Sequence, residues 1–181
     1  MANWHDKSKR FERDIGEMLL EYDGECPKWK NLTTSKARTG QLSDLQMDIL
    51  SKTYSAEAKH ISDFPKWLFG GMKEVIKESG NKESLMIIEH EDRDIVMHCI
   101  TRDRHIALLE KDEDKNFEDL SEIYHIKKDI RSTPKWLFNS FKQIVDVSNT
   151  HNKEALFALK KDSRVYPEIH ILTPERHKNL L

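Results

Sequence analysis

Glu57 and Lys59 set a carboxylate and an ammonium two residues apart in the run "GQLSDLQMDILSKTYSAEAKH" from Gly40 to His60. Two apart on a β-strand means one shared face. The β-branched, aromatic and apolar residues, with a break at Ser51-Lys52, predict a hairpin: Leu42–Leu50 going out and Thr53–Ile61 coming back. Pairing the strands about that turn is expected to bring Asp44 roughly opposite Glu57. Asp48 shares Asp44's strand face and is the alternative. One acid on each strand with a lysine alongside suits a divalent cation. Mg²⁺ takes hard oxygen ligands, keeps several waters and completes its shell with substrate phosphate. Such a site can activate a water and absorb the charge that develops on a phosphodiester. The same acid–lysine spacing also occurs as a solvated face in many proteins. Ala56 and Ala58 on the opposite face suggest a buried strand, where Glu and Lys need a reason to be present.

The elements before this run offer charge to a polyanion. Ser8 to Tyr22 reads as a helix with Phe11, Ile15, Met18, Leu19 and Tyr22 on one side and Gly24 closing it. Glu12 sits at the edge of that stripe, either as solvent-facing charge or reaching over a sheet edge, with Glu17 the weaker alternative. Lys9, Arg10 and Arg13, next to Lys7, resemble a phosphate-facing helix end. Residues 26–43 then hold Lys28, Lys30, Lys36 and Arg38, hydroxyls such as Thr39, and no acid. Basic and hydroxyl side chains on a loop are what phosphate contact uses.

After the hairpin, Ser62 or Asp63 caps a helix with Pro65 in its first turn and Leu68, Met72, Val75 and Ile76 as its buried stripe. The strands "SLMIIEH" and "DIVMHCI" and the short segment "DRHIALLEK" follow. Residues 8–100 thus read α-β-β-α-β-β, a small α/β sandwich with a mixed sheet. The chain has 181 residues, 37% hydrophobic and 34% charged, with a formal net charge of −2. That balance gives no global pull toward nucleic acid, so any such attraction is local. Cys26 and Cys99 have no metal-type spacing and suggest a reducing, cytoplasmic setting. There is no apolar signal region and no 18-residue apolar run, so a soluble, intracellular protein is expected.

The second half repeats the first. "PKWLF" stands at Pro65–Phe69 and at Pro134–Phe138; "NKESL" at Asn81–Leu85 matches "NKEAL" at Asn152–Leu156; "HCITRDRH" at His98–His105 matches "HILTPERH" at His170–His177. Ordered matches at a nearly constant offset are an internal duplication. The second helix carries Leu137, Phe141, Ile144 and Val145 as its stripe. We therefore divide the chain into residues 1–111, an acidic linker at 112–116, and a degenerate repeat of residues 54–105 at 117–181. The copy is incomplete, since Ile126 or Lys127 stands opposite Glu57 and nothing repeats the Asp44 strand. Features in both copies read as structural, which assigns His98, His105, His170 and His177 to packing or turn hydrogen bonds. Features in one copy only, Asp44, Glu57 and Lys59, read as functional.

"SKRFERDIGEML", "TGQLSDL" and "SAEAKH", in that order, resemble the PD-(D/E)XK nuclease superfamily, nearest to archaeal-type and phage Holliday junction resolvases. The resemblance spans roughly residues 7–100. It implies a restriction-endonuclease-like core and a metal-dependent endodeoxyribonuclease that hydrolyses phosphodiesters in branched DNA during recombination. It further implies Mg²⁺, with Mn²⁺ able to substitute, held by Asp44, Glu57 and the Ala58 carbonyl, with Glu12 assisting directly or through water. Lys59 would orient or deprotonate the attacking water. A symmetric homodimer is implied, of the phage-encoded kind acting in a bacterial host. The alternatives are a relative acting on duplex or single-stranded DNA and a non-catalytic DNA-binding module on the same fold.

Overall fold

The computed structural model describes residues 4–23, 49–61, 66–90, 93–110, 120–129, 134–161 and 165–181. The expected α/β class with a mixed sheet holds. In chain order the elements are α1 (Trp4–Asp23), β1 (Ile49–Leu50), β2 (Tyr54–Ile61), α2 (Lys66–Glu78), β3 (Glu83–His90), β4 (Arg93–Thr101) and α3 (Arg102–Leu109). There follow α4 (Leu120–Ile123), β5 (Tyr124–Asp129), α5 (Lys135–Thr150), β6 (Glu154–Lys161), β7 (Ile169–Leu172) and α6 (Pro174–Asn179). No helix among the described residues is long and apolar enough to cross a membrane.

The seven strands form one sheet in the order β1-β2-β6-β7-β4-β3-β5. β2 does not lie beside β3. It runs parallel to β6, with Tyr54 opposite Glu154 and Glu57 opposite Phe157. The counterpart pair, β5 and β3, is also parallel, with Tyr124 opposite Glu83. β4 and β7 meet antiparallel at the centre, so the two strand–helix–strand–strand–helix runs interleave about a local twofold between them. Reciprocal contacts lock the exchange. Glu154 N donates to the Thr53 carbonyl at 2.7 Å, and Lys153 Nζ donates to the carbonyls of Ser51 and Lys52. On the other side Lys82 Nζ donates to the Ser121 carbonyl at 2.7 Å.

Strand periodicity sorts the core into two layers. Ala56, Ala58, Leu85, Ile87, Leu156 and Ala158 face α1 and share a cluster with its Phe11, Ile15, Met18 and Leu19. Met86, Ile88, Met97, Cys99, Phe157, Leu159, Ile169 and Ile171 face α2 and α5. The α2 stripe is Leu68, Phe69, Met72 and Val75, while Ile76 is 39% exposed rather than buried. In α5 the buried set is Leu137, Phe138, Phe141, Ile144 and Ser148. Val145 is half-buried at its edge. In both helices the second aromatic of "PKWLF" is buried against the sheet, as Phe69 and as Phe138. Residues in left-handed conformation, Gly80 at φ 58° and Asn152 at φ 53°, turn the chain into the next strand.

The repeated "T-x-x-R-H" builds two buried hydrogen-bond chains. Thr101 and Thr173 cap α3 and α6, each accepting at 3.2 Å from the backbone N–H of the arginine three residues on, Arg104 or Arg176. That fixes the first turn so that arginine and histidine reach the sheet. Arg176 Nε can only donate, so the Tyr54 oxygen accepts it at 2.9 Å. The Tyr54 hydroxyl then donates to His105 Nε2 at 3.2 Å. His105 Nδ1 lies 2.8 Å from His170 Nδ1, and His170 Nε2 lies 3.1 Å from Glu168 Oε1. The chain of contacts leads from a guanidinium to a carboxylate. The related chain runs from Arg104 to Tyr124 (3.0 Å), His177 (2.9 Å) and His98 (3.0 Å). Val96 stands at the position corresponding to Glu168. The repeated histidines are thus packing groups, as expected, but they bind one another across the local twofold rather than closing turns.

A neutral network makes the fold acid-sensitive. Burial pushes His98 down to about 4 and His177 down to about 3, and holds His105 well below its ordinary value. The unfolded chain takes up these protons from about pH 6.5 downward, whereas the folded chain does so only near pH 4 and below. Stability is therefore complete above about pH 6.5 and falls between there and pH 4, by about 1.4 kcal/mol per pH unit per ring. Thermal melting at pH 7.5 and pH 4.5 checks this, with a much lower Tm expected at pH 4.5. An unchanged Tm contradicts a neutral buried network.

Candidate active site

β2 carries the acid–lysine pair of the sequence on the face turned toward α5. Tyr54, Ala56 and Ala58 turn into the α1 layer, so Glu57 and Lys59 lie on the other side. Lys59 Nζ stands 2.6 Å from Glu57 Oε1. The side chains are 34% and 14% exposed respectively, so the carboxylate is held in a partly desolvated setting while the ammonium reaches outward. Lys59 Nζ also donates to Ser140 Oγ on α5 at 3.2 Å and sits 5.5 Å from the centroid of the Phe157 ring on β6. An ion pair alone at such exposure contributes little to stability. Its geometry instead sets the Glu57 carboxylate and the Lys59 ammonium side by side on one face of β2.

The hairpin closes later than the sequence suggested. Ile49 pairs with Ala56 and Leu50 with Ser55. The turn is Ser51–Thr53, held by Ser51 N donating to the Tyr54 carbonyl at 2.8 Å and by Tyr54 N donating to Ser51 Oγ at 2.8 Å. This register is four residues out of step with one that sets Asp44 opposite Glu57. Asp44 and Asp48 themselves lie outside the described residues, as do Lys28, Lys30, Lys36, Arg38 and Thr39.

Glu12 is on α1, which packs against the opposite face of β2, with Phe11 edge-on to His60 at 6.4 Å between ring centroids. Glu12 is half-buried and accepts from Ser8 Oγ at 3.4 Å. The structure therefore joins Glu57 and Lys59 but places Glu12 across the strand from them. Lys9, Arg10 and Arg13 are all exposed on α1. Among the described residues no group of three or more His, Cys, Asp or Glu side chains stands ready to hold a metal ion, so Glu57 is the one described carboxylate of the pair. Comparison with protein-family models, curated proteins and solved structures finds no match to this chain.

The local twofold shows what the second copy holds in the equivalent place. Tyr54 corresponds to Tyr124, since each sits opposite the glutamate of the matching repeat, Glu154 or Glu83. Glu57 then corresponds to Lys127, and Lys59 to position 129. Lys127 Nζ binds Glu74 Oε2 of α2 at 2.7 Å, so the second location has become a cross-element ion pair. Sequence reasoning missed Ser140 and Phe157. The signal was available in the repeat itself, where their counterparts are Gly71 and Met86.

Proposed function

We propose that this chain is a Mg²⁺-dependent, structure-selective DNA endonuclease that resolves branched junctions by phosphodiester hydrolysis. The observation carrying this reading is the Glu57–Lys59 pair, 2.6 Å apart on one face of β2 and absent from the otherwise matching β5. A carboxylate and an ammonium converging on one space suit a cation and a phosphate better than either group alone.

The donor chemistry fits Mg²⁺, a hard ion that takes carboxylate and carbonyl oxygens. Glu57 and the Ala58 carbonyl would hold it together with the aspartate of the facing strand. The β1–β2 register favours Asp48 over Asp44 for that place. When bound, the ion supplies charge stabilisation to the phosphoryl oxygens and a more acidic water. Glu57 supplies fixed negative charge, and Lys59 holds the attacking water in line and steadies the scissile phosphate. Glu12, on the far face of the strand, is at most an outer carboxylate reached through water. Lys9, Arg10 and Arg13 offer exposed positive charge to the DNA backbone. Among the described residues one chain holds one such pair despite its local twofold, so paired cuts on a four-way junction call for a homodimer.

A cleavage assay with a synthetic four-way junction beside linear duplex of the same sequence tests this in Mg²⁺ and in Mn²⁺. Cutting of the junction in preference to the duplex is expected, with Asp48→Asn losing more activity than Asp44→Asn. Equal cutting of both substrates removes the junction preference. Gel-shifted junction without any cutting replaces the reading with a binding module.

A further inference from the structure

The residues that steady Lys59 come from the other repeat. A lysine ends in three donors on a flexible four-carbon stem, so an ammonium that must meet a phosphate needs fixing from more than one side. Glu57 takes one direction at 2.6 Å. Ser140 Oγ takes a second at 3.2 Å, and the Phe157 ring, 5.5 Å away at its centroid, backs a third. Ser140 lies on α5 and Phe157 on β6, both in the half that lacks the acid–lysine pair.

The first copy has no such arrangement. Its counterpart of Ser140 is Gly71, where a Cβ would sit 3.2 Å from Met86 Sδ, tight enough that the neighbour must yield. Met86 is itself the counterpart of Phe157. The serine and the phenylalanine thus occur in the copy that abuts Lys59 and are missing from the other copy, where position 129 is the counterpart of Lys59. A pair of changes confined to one side of a local twofold, and meeting at one ammonium, is what adaptation of a site leaves behind.

The geometry points to Ser140 as a positioning residue for Lys59, so that the C-terminal repeat completes in the same chain the site begun by the first. This rests on the reading of Lys59 as the group that meets water and phosphate. The hydroxyl accepts one ammonium proton beside the one that Glu57 takes, which fixes the direction of the lysine stem. Without it the stem is free to swing about Glu57, and productive geometry is populated a smaller fraction of the time.

Single-turnover cleavage of a four-way junction in Mg²⁺, with wild type, Ser140→Ala, Ser140→Thr and Glu57→Ala side by side, tests the inference. Ser140→Ala is expected to lower the rate constant at saturating DNA about 10-fold, the effect of one charge-assisted hydrogen bond. Junction affinity and Tm should be unchanged, and Ser140→Thr should regain most of the rate. If Ser140→Ala cuts like wild type while Glu57→Ala is inactive, the inference fails and the nuclease reading stands. A loss of Tm or affinity in proportion to the loss of rate makes Ser140 structural and also overturns it. If wild type and Glu57→Ala behave alike, both the inference and the nuclease reading fall.

Discussion

A chain ending at residue 111 is expected not to fold, although the sequence alone divides the protein there. Its β2 would lack the parallel neighbour β6, and β4 would lack β7. Leu156, Phe157, Leu159, Ile169, Ile171 and Leu172 are all 0% exposed and would be gone from the middle of the sheet. Each such side chain contributes roughly 1.5–3 kcal/mol by burial. Their sum alone matches or exceeds the about 5–15 kcal/mol of net stability of a typical domain. The edges of β2 and β4 left open would also pair with other chains. Circular dichroism and thermal melting of residues 1–111 check this, with aggregation or the absence of a cooperative transition expected. Co-expression with residues 112–181 should restore a folded complex. A cooperative melt of the short chain on its own would contradict the interleaved sheet.

Glu57→Ala is expected to lower Mg²⁺-dependent junction cleavage by more than about 100-fold, since even partners that only orient a metal ligand cost about 10–100-fold. Junction binding should persist, because the exposed basic residues of α1 are untouched and backbone charge carries most of the affinity. The fold should persist as well. Glu57 is at the margin of its layer, and an ion pair with a side chain 34% exposed adds little to stability. Lys59→Ala should show the same separation of cutting from binding. Rate and affinity are read in parallel by single-turnover cleavage and gel shift. Loss of both, in step with a loss of Tm, would make the pair structural.

The parts of the fold legible in the sequence were those written in local periodicity. The apolar stripes of α1 and α5, most of that of α2, and the short apolar runs of β3 and β4 each follow from a short window. So does the shared face of Glu57 and Lys59. The exchange of strands between repeats was not legible for a specific reason. "NKESL" and "NKEAL" begin β3 and β6 with nearly the same residues, so a strand that fits beside one fits beside the other. Only the whole assembly selects which. The hairpin register failed on a small feature, the Ser51 side chain holding Tyr54 N, which centres the turn two residues later. Two residues at a turn become four along a ladder, so a small error in the turn shifts every pairing that follows from it. The histidine chains were half-visible. Their recurrence marked them as structural, but their direction depends on Tyr54, Tyr124 and Glu168, which no spacing rule connects to them. Ser140 is an ordinary helix serine by sequence, and it gains meaning only beside Gly71.

Manganese binding tests the central claim most directly, because it asks for the metal site without asking for catalysis. Mn²⁺ titrated into wild type, Glu57→Ala and Asp48→Asn and followed by electron paramagnetic resonance should show one bound ion per chain in wild type. Either substitution should weaken that ion by at least about 10-fold. Equal binding by wild type and Glu57→Ala would mean that β2 holds no metal, and the hydrolytic role assigned to it would be wrong.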